Sequence, residues 1–78
     1  MSILTIIKSN KALGLEFTED KMMIALADGR ELSVPLEWFP RLRMASKEQL
    51  LKWRFIGNGE GIHWEELDED ISIERLLD

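Results

Sequence analysis

Met22-Met23-Ile24-Ala25-Leu26-Ala27-Asp28-Gly29-Arg30-Glu31-Leu32-Ser33-Val34-Pro35-Leu36 is the stretch that decides how this chain folds. Met22, Ile24 and Leu26 alternate before Asp28-Gly29, and Leu32, Val34 and Leu36 alternate after it. Period-two alternation marks strands with one buried face. A two-residue Asp28-Gly29 loop would set Leu26 opposite Glu31 and send the two apolar sets to opposite faces. A three-residue loop, Ala27-Asp28-Gly29 with Gly29 in the left-handed region, sets Ile24 opposite Leu32 and Met22 opposite Val34. Every large apolar side chain then lies on one face. A slip of one residue would flip the whole set, so the three-residue loop is expected.

Working outward, Leu13, Leu15 and Phe17 alternate as a preceding half-buried strand, and Thr18-Glu19-Asp20-Lys21 reads as the turn that joins it. Pro35 cannot donate to a sheet ladder, so the third strand ends there or lies at an edge. Trp38-Phe39-Pro40 forms a rigid aromatic corner, read as a lid over one end of the core. Ser46-Lys47-Glu48-Gln49 is a capping box, and a short helix from about Lys47 to Lys52 follows, with Leu50-Leu51 as its apolar positions. Trp53 and Phe55 alternate as a fourth strand and Ile62 and Trp64 as a fifth. The glycine-rich Gly57-Asn58-Gly59-Glu60-Gly61 is their hairpin connection. Ser72 caps a last helical turn, with Glu74 at its positive end and Leu76-Leu77 turned inward. The expected fold is α+β: a small antiparallel sheet, made of a three-strand meander plus a C-terminal hairpin, packed with two short helices. It forms one domain over residues 1–78, with 1–12 as an N-terminal arm or strand and 13–77 as the core.

Composition sets further bounds. A chain of 78 residues buries only about 60–65% of its unfolded surface, which leaves little room for a deep pocket and weighs against an enzyme. Hydrophobic content of 45% with three Trp and three Phe argues for a folded domain. The lack of cysteine excludes disulfides, thiolate chemistry and Cys-ligated zinc. The apolar run Ile3-Leu4-Thr5-Ile6-Ile7 is too short for a signal peptide, and no stretch approaches the ~20 residues of a membrane span. A cytoplasmic location is expected. That same run would be apolar on both faces of any strand, so pairing with the sheet edge or with a second subunit, as a homodimer, is also expected.

The net charge of −5 hides an asymmetry. Residues 59–78 hold eight acids (Glu60, Glu65, Glu66, Asp68, Glu69, Asp70, Glu74, Asp78) against Arg75 alone. Such asymmetry marks a candidate interaction face; acids near a helix start are also favoured by the helix dipole without any partner. Arg41, Arg43, Lys47, Lys52 and Arg54 cluster near Trp38 and Trp53. Basic residues among aromatics can hold nucleic acid, but the overall negative field opposes it, and these bases are expected to face the acidic run instead.

Other motifs carry little chemistry. Gly57-x-Gly59-x-Gly61 lacks the following helix and the Lys-Ser/Thr pair of a phosphate cradle. His63 is the lone histidine, placed on the outer side of its strand by Ile62 and Trp64, with no spacing that singles out a catalytic partner. Asp68-Glu69-Asp70 lacks the loop pattern of a calcium hand. No catalytic, cofactor-binding or metal-binding residue is expected.

One resemblance emerges. Leu26-Ala27-Asp28-Gly29-Arg30, then Ser33-Val34-Pro35-Leu36-Glu37-Trp38-Phe39-Pro40-Arg41-Leu42, Trp53, and Ile56-Gly57-x-Gly59-x-Gly61-Ile62-His63-Trp64 followed by Leu67-Asp68-Glu69-Asp70-Ile71-Ser72 resemble the bacterial domain of unknown function family 2442. The likeness runs from about Leu13 to Leu77. Many members have Pro after the Trp where this chain has Glu65. The resemblance implies a small α+β domain with no established activity and no catalytic residues to carry over. It also implies a frequent gene neighbour, the domain of unknown function family 4160, in a toxin–antitoxin-like arrangement. Some relatives add a helix-turn-helix module, which is not expected here.

Residues and resemblance together give the functional expectation: a non-enzymatic protein–protein interaction module, the antitoxin-like or regulatory member of a two-gene pair. Glu60, Glu65, Glu66, Asp68, Glu69, Asp70 and Trp38 would meet a basic protein partner. The alternative is a small-ligand or nucleotide-binding domain that uses Trp38, Trp53 and the Gly57–Gly61 loop.

Overall fold

The computed structural model describes residues 9–77, so the expectations for the Ile3–Ile7 run lie outside the described residues. Three strands, β1 (Ala12–Phe17), β2 (Lys21–Leu26) and β3 (Glu31–Pro35), form an antiparallel sheet in sequence order. A 3-10 turn (Leu36–Trp38) and the single-turn helices α1 (Pro40–Arg43) and α2 (Lys47–Leu50) lead to a second sheet. That sheet comprises β4 (Trp53–Ile56), β5 (Gly61–Trp64) and β6 (Glu69–Ser72), again antiparallel in sequence order, before the helix α3 (Ile73–Leu77). The fold is a small α+β domain.

The decisive hairpin has the expected register. Met22 faces Val34 and Ile24 faces Leu32. The Leu26 N–H donates to the Arg30 carbonyl at 2.8 Å across a loop of Ala27, Asp28 and Gly29, with Gly29 at φ +94°. β3 is an edge strand that ends at Pro35, where a missing N–H costs the ladder nothing. The capping box is complete: Ser46 Oγ accepts from the Gln49 N–H at 3.1 Å, and Gln49 Oε1 accepts from the Ser46 N–H at 3.0 Å. Ser72 Oγ accepts from the Arg75 N–H at 3.4 Å at the start of α3.

Four details differ from the sequence reading. Leu13 does not face the core but is 68% exposed, because the β1–β2 register shifts between Ala12 and Gly14 and leaves Leu13 as the extra residue of a bulge. Ala12 takes the inward place opposite Leu26, and its N–H donates to the Gly59 carbonyl at 2.7 Å, tying the first sheet to the β4–β5 loop. The acidic run is not all turn: Glu69–Ser72 forms a sixth strand that sets Ile71 against Ile62. At the aromatic corner, Phe39 packs against the core while Trp38 stands 66% exposed. The helix expected to reach Lys52 stops at Leu50, and Leu51 is 68% exposed.

Both sheets turn their inner faces onto one core. Met22, Ile24, Val34, Leu36 and Leu42 meet Ile62, Trp64, Ile71 and Ile73 there. Trp64 is fully buried; its indole N–H donates to the Leu50 carbonyl at 3.0 Å, and Phe17 meets it edge-on with centroids 6.5 Å apart. A buried indole needs such a partner, so Trp64 fixes α2 against the second sheet.

Candidate functional site

The candidate residues gather where the β5–β6 turn meets α1. Trp64 pairs with Glu69, so Glu65, Glu66, Leu67 and Asp68 form the turn, and the Asp68 N–H donates to the Glu65 carbonyl at 3.3 Å. Asp68 sits at φ +51°, a left-handed conformation that Asp tolerates better than most residues. Arg41 grips this turn from α1: its Nη1 donates to the Asp68 carbonyl at 2.5 Å and lies 3.8 Å from the Asp68 carboxylate.

The expected meeting of bases with the acidic run occurs inside the chain for Arg41, Lys52 and Arg54, whereas Arg43 Nη1 donates to the Glu19 carbonyl at 3.4 Å and Lys47 lines a cleft with Phe17, Thr18 and Glu19. Lys52 pairs with Glu66 at 3.1 Å and Arg54 with Glu65 at 3.3 Å. His63 Nδ1 contacts the Asp70 carboxylate across the β5–β6 pair, and Arg54 stands opposite His63 on the other flank. Three of the five acids from Glu65 to Asp70, namely Glu65, Glu66 and Asp68, are thus paired with bases, leaving a local formal charge of −2 with the histidine counted as neutral. Exposed pairs of this kind stabilise by only about 0–1 kcal/mol each. Their main effect is on the field a partner meets.

Not all the candidate acids belong here. Glu60 precedes Gly61 at the opposite end of β5 from Glu65. It serves the glycine hairpin, where its N–H donates to the Ile56 carbonyl and its carbonyl accepts from the Ile73 N–H. Trp38 lies in the 3-10 turn immediately before α1, the helix that grips the acidic turn. A shallow cleft of about 420 Å³ runs between α1, α2 and the turn, lined by Pro40, Arg41, Met44, Ala45, Gln49, Glu66 and Leu67 but not by Trp38. Met44 is 86% exposed there.

Trp53, Trp38 and the glycine loop are not brought together. Trp53 lines one cleft of about 320 Å³ with Lys52, Arg54, His63 and Glu65, and another of about 440 Å³ on the first sheet; neither includes Trp38 or the loop. Gly57 and Gly59 have positive φ and close the hairpin. Among the described residues no group of three or more potential metal ligands converges and no charged residue is buried. Asp28, the one shifted carboxyl among the described residues, lies at the tip of the β2–β3 hairpin. Its pKa is lowered chiefly by the Ser9 N–H and then by the Arg30 N–H, with Arg30 Nε at 2.8 Å and a smaller opposing effect of burial.

Sequence reasoning expected Arg41 to face the acidic run but not its bond to the turn's backbone at Asp68, and it missed the sixth strand. The Ile71-x-Ile73 alternation carried the signal for the strand, but the dense acids before it masked that signal.

The family described as protein of unknown function (DUF2442) matches residues 12–78. No curated protein matches the chain. A crystal structure of a protein of unknown function from Rhodospirillum rubrum superposes with a TM-score of 0.74 at 29% identity, covering 86% of this chain and 83% of that one. With the family's match running over residues 12–78, nearly the whole chain, this protein belongs to the DUF2442 family.

Proposed function

We propose that this protein is a non-enzymatic interaction module of the cytoplasm, the regulatory or antitoxin-like half of a two-gene pair. It presents Trp38 and the β5–β6 turn to a basic protein partner. The observation that carries this reading is Trp38 itself: it is 66% exposed while Trp64 is fully buried, and it adjoins the helix that holds the acidic turn. Trp, Met and Arg are the residue types that interfaces favour, and Trp38, Met44 and Arg41 stand close in the chain. The surrounding clefts are open and shallow, which suits a protein surface better than a small molecule.

The test is copurification of the untagged chain with the product of its neighbouring gene, a domain of unknown function family 4160 protein where the arrangement holds. Trp38→Ala should then weaken binding about 30-fold or more, the effect of losing an interface anchor worth about 2 kcal/mol. Unchanged affinity in a variant with an unchanged thermal midpoint would overturn the placement of the surface.

A further inference from the structure

Among the described residues the outer face of the first sheet is open and partly apolar, with Trp53 alone reaching its cleft from another element. The bulge turns Leu13 outward, 68% exposed, and the next outward positions are Gly14 on β1 and Ala25 and Met23 on β2. Gly14 and Ala25 stand opposite each other, and a Cβ built on Gly14 would meet nothing within 4 Å. These small residues floor the cleft of about 440 Å³, with Met23 beside them, Trp53 on one side, and Glu16 and Glu31 at the rim. A large aliphatic side chain from elsewhere would fit over this floor.

The chain supplies such side chains immediately upstream. Ile3, Leu4, Ile6 and Ile7 lie within the eight residues before Ser9, outside the described residues, and Lys8 follows them with a charge opposite to that of Glu16 and Glu31. Where this segment starts is fixed. The Ser9 N–H donates to the Asp28 carboxylate at 2.9 Å, Arg30 Nη2 donates to the Ser9 carbonyl at 3.1 Å, and the Ala27 N–H donates to the Lys11 carbonyl at 2.9 Å. These bonds hold residues 9–11 alongside the tip of the β2–β3 hairpin, so Ser9 lies at the end of its own sheet and not over the sheet's outer face. Five extended residues span roughly 16–18 Å, close to the roughly 20 Å of a six-residue strand, which is enough to cross the sheet of a neighbour.

We propose that Ile3–Ile7 of one copy seats on the Leu13–Gly14–Ala25–Met23 face of a second copy, so that the protein is an arm-exchanged homodimer. The surface is distinct from the Trp38 surface and leaves it free. Because the native chain has no cysteine, engineered ones report directly on this contact. In a mixture of Ile6→Cys and Ala25→Cys chains under mild oxidation, a disulfide between the two different chains is expected. Light scattering should give twice the 9.1 kDa chain mass at tens of micromolar. Ile6→Asp, which alters only the segment, should raise the dimer dissociation constant about 100-fold. Met23→Asp, which alters only the face, should do the same. Far-UV circular dichroism and a cooperative thermal melt check that both variants fold. A monomeric mass for the native chain would overturn the proposal. So would a bridge that forms within a single chain carrying both cysteines, or a dimer that survives both Asp variants.

Discussion

A Cβ on Gly59 would sit 2.3 Å from the Ala12 carbonyl oxygen and 2.9 Å from its nitrogen, and the residue is already at φ +89°. The close approach comes from the Ala12–Gly59 hydrogen bond that ties the two sheets, and the positive φ from the β4–β5 turn. Gly59→Ala should therefore destabilise by roughly 2–4 kcal/mol, combining left-handed strain with overpacking against backbone that cannot yield. Gly29 differs: it is at φ +94° but open to solvent. Gly29→Val there should cost about 1–3 kcal/mol from strain alone, and Gly29→Ala about 1 kcal/mol. Urea midpoints of the two alanine variants rank the sites, and equal midpoints would show that the Gly59 contact relaxes freely.

The β2–β3 hairpin tip is held together by Asp28, which accepts from the Ser9 and Arg30 N–H groups and from Arg30 Nε. These donors favour the carboxylate and lower its pKa in the fold. A carboxyl lowered on folding contributes stability that is fully present above its unfolded value and lost as pH falls through its folded one. Asp28→Asn should thus lower the thermal midpoint at neutral pH. The gap from the native protein should close once acid has protonated Asp28, below the ordinary carboxylate range. A gap that stays constant through that range would show that the amide fails for shape, not charge. On α2, Ser46→Ala removes one half of the capping box and should cost about 0.5–2 kcal/mol, read from the same thermal melts. Since the Leu50 carbonyl accepts from Trp64, that loss should also shift the Trp64 emission.

At the scale of the molecule, the acidic segment proves less bare than its composition suggests, because Arg41, Lys52 and Arg54 lie against Asp68, Glu66 and Glu65. Changing Glu65, Glu66, Asp68 and Glu69 to amides frees three bases as it removes four acids, so the field at the turn reverses sign. Association with a basic partner should slow at low salt by 10-fold or more and converge with the native rate at high salt, where charges beyond about 8–10 Å are screened. Stopped-flow association at two ionic strengths measures it. Equal rates at both would leave recognition to Trp38 and Met44. The fold should survive, since exposed pairs contribute only about 0–1 kcal/mol each.

The Ala27-Asp28-Gly29 loop, the edge at Pro35, the Ser46–Gln49 capping box and the Trp53/Trp64 strands were legible in the sequence because each is set by neighbours within a few residues: alternation, a missing N–H, a side chain that reaches its own backbone. Leu13 was misjudged for the opposite reason. Its alternation with Leu15 and Phe17 is genuine, but the Gly59 carbonyl, more than 40 residues away, claims the Ala12 N–H and forces the bulge that turns Leu13 out. The sixth strand likewise exists because Ile62 offers Ile71 a partner, against the local preference of Glu69 and Asp70. The family's motifs could be read in order along the chain. Which acids meet which bases, and that Glu60 stands apart from the rest, followed only from folding, because charge pairing depends on distances that close when the two sheets dock.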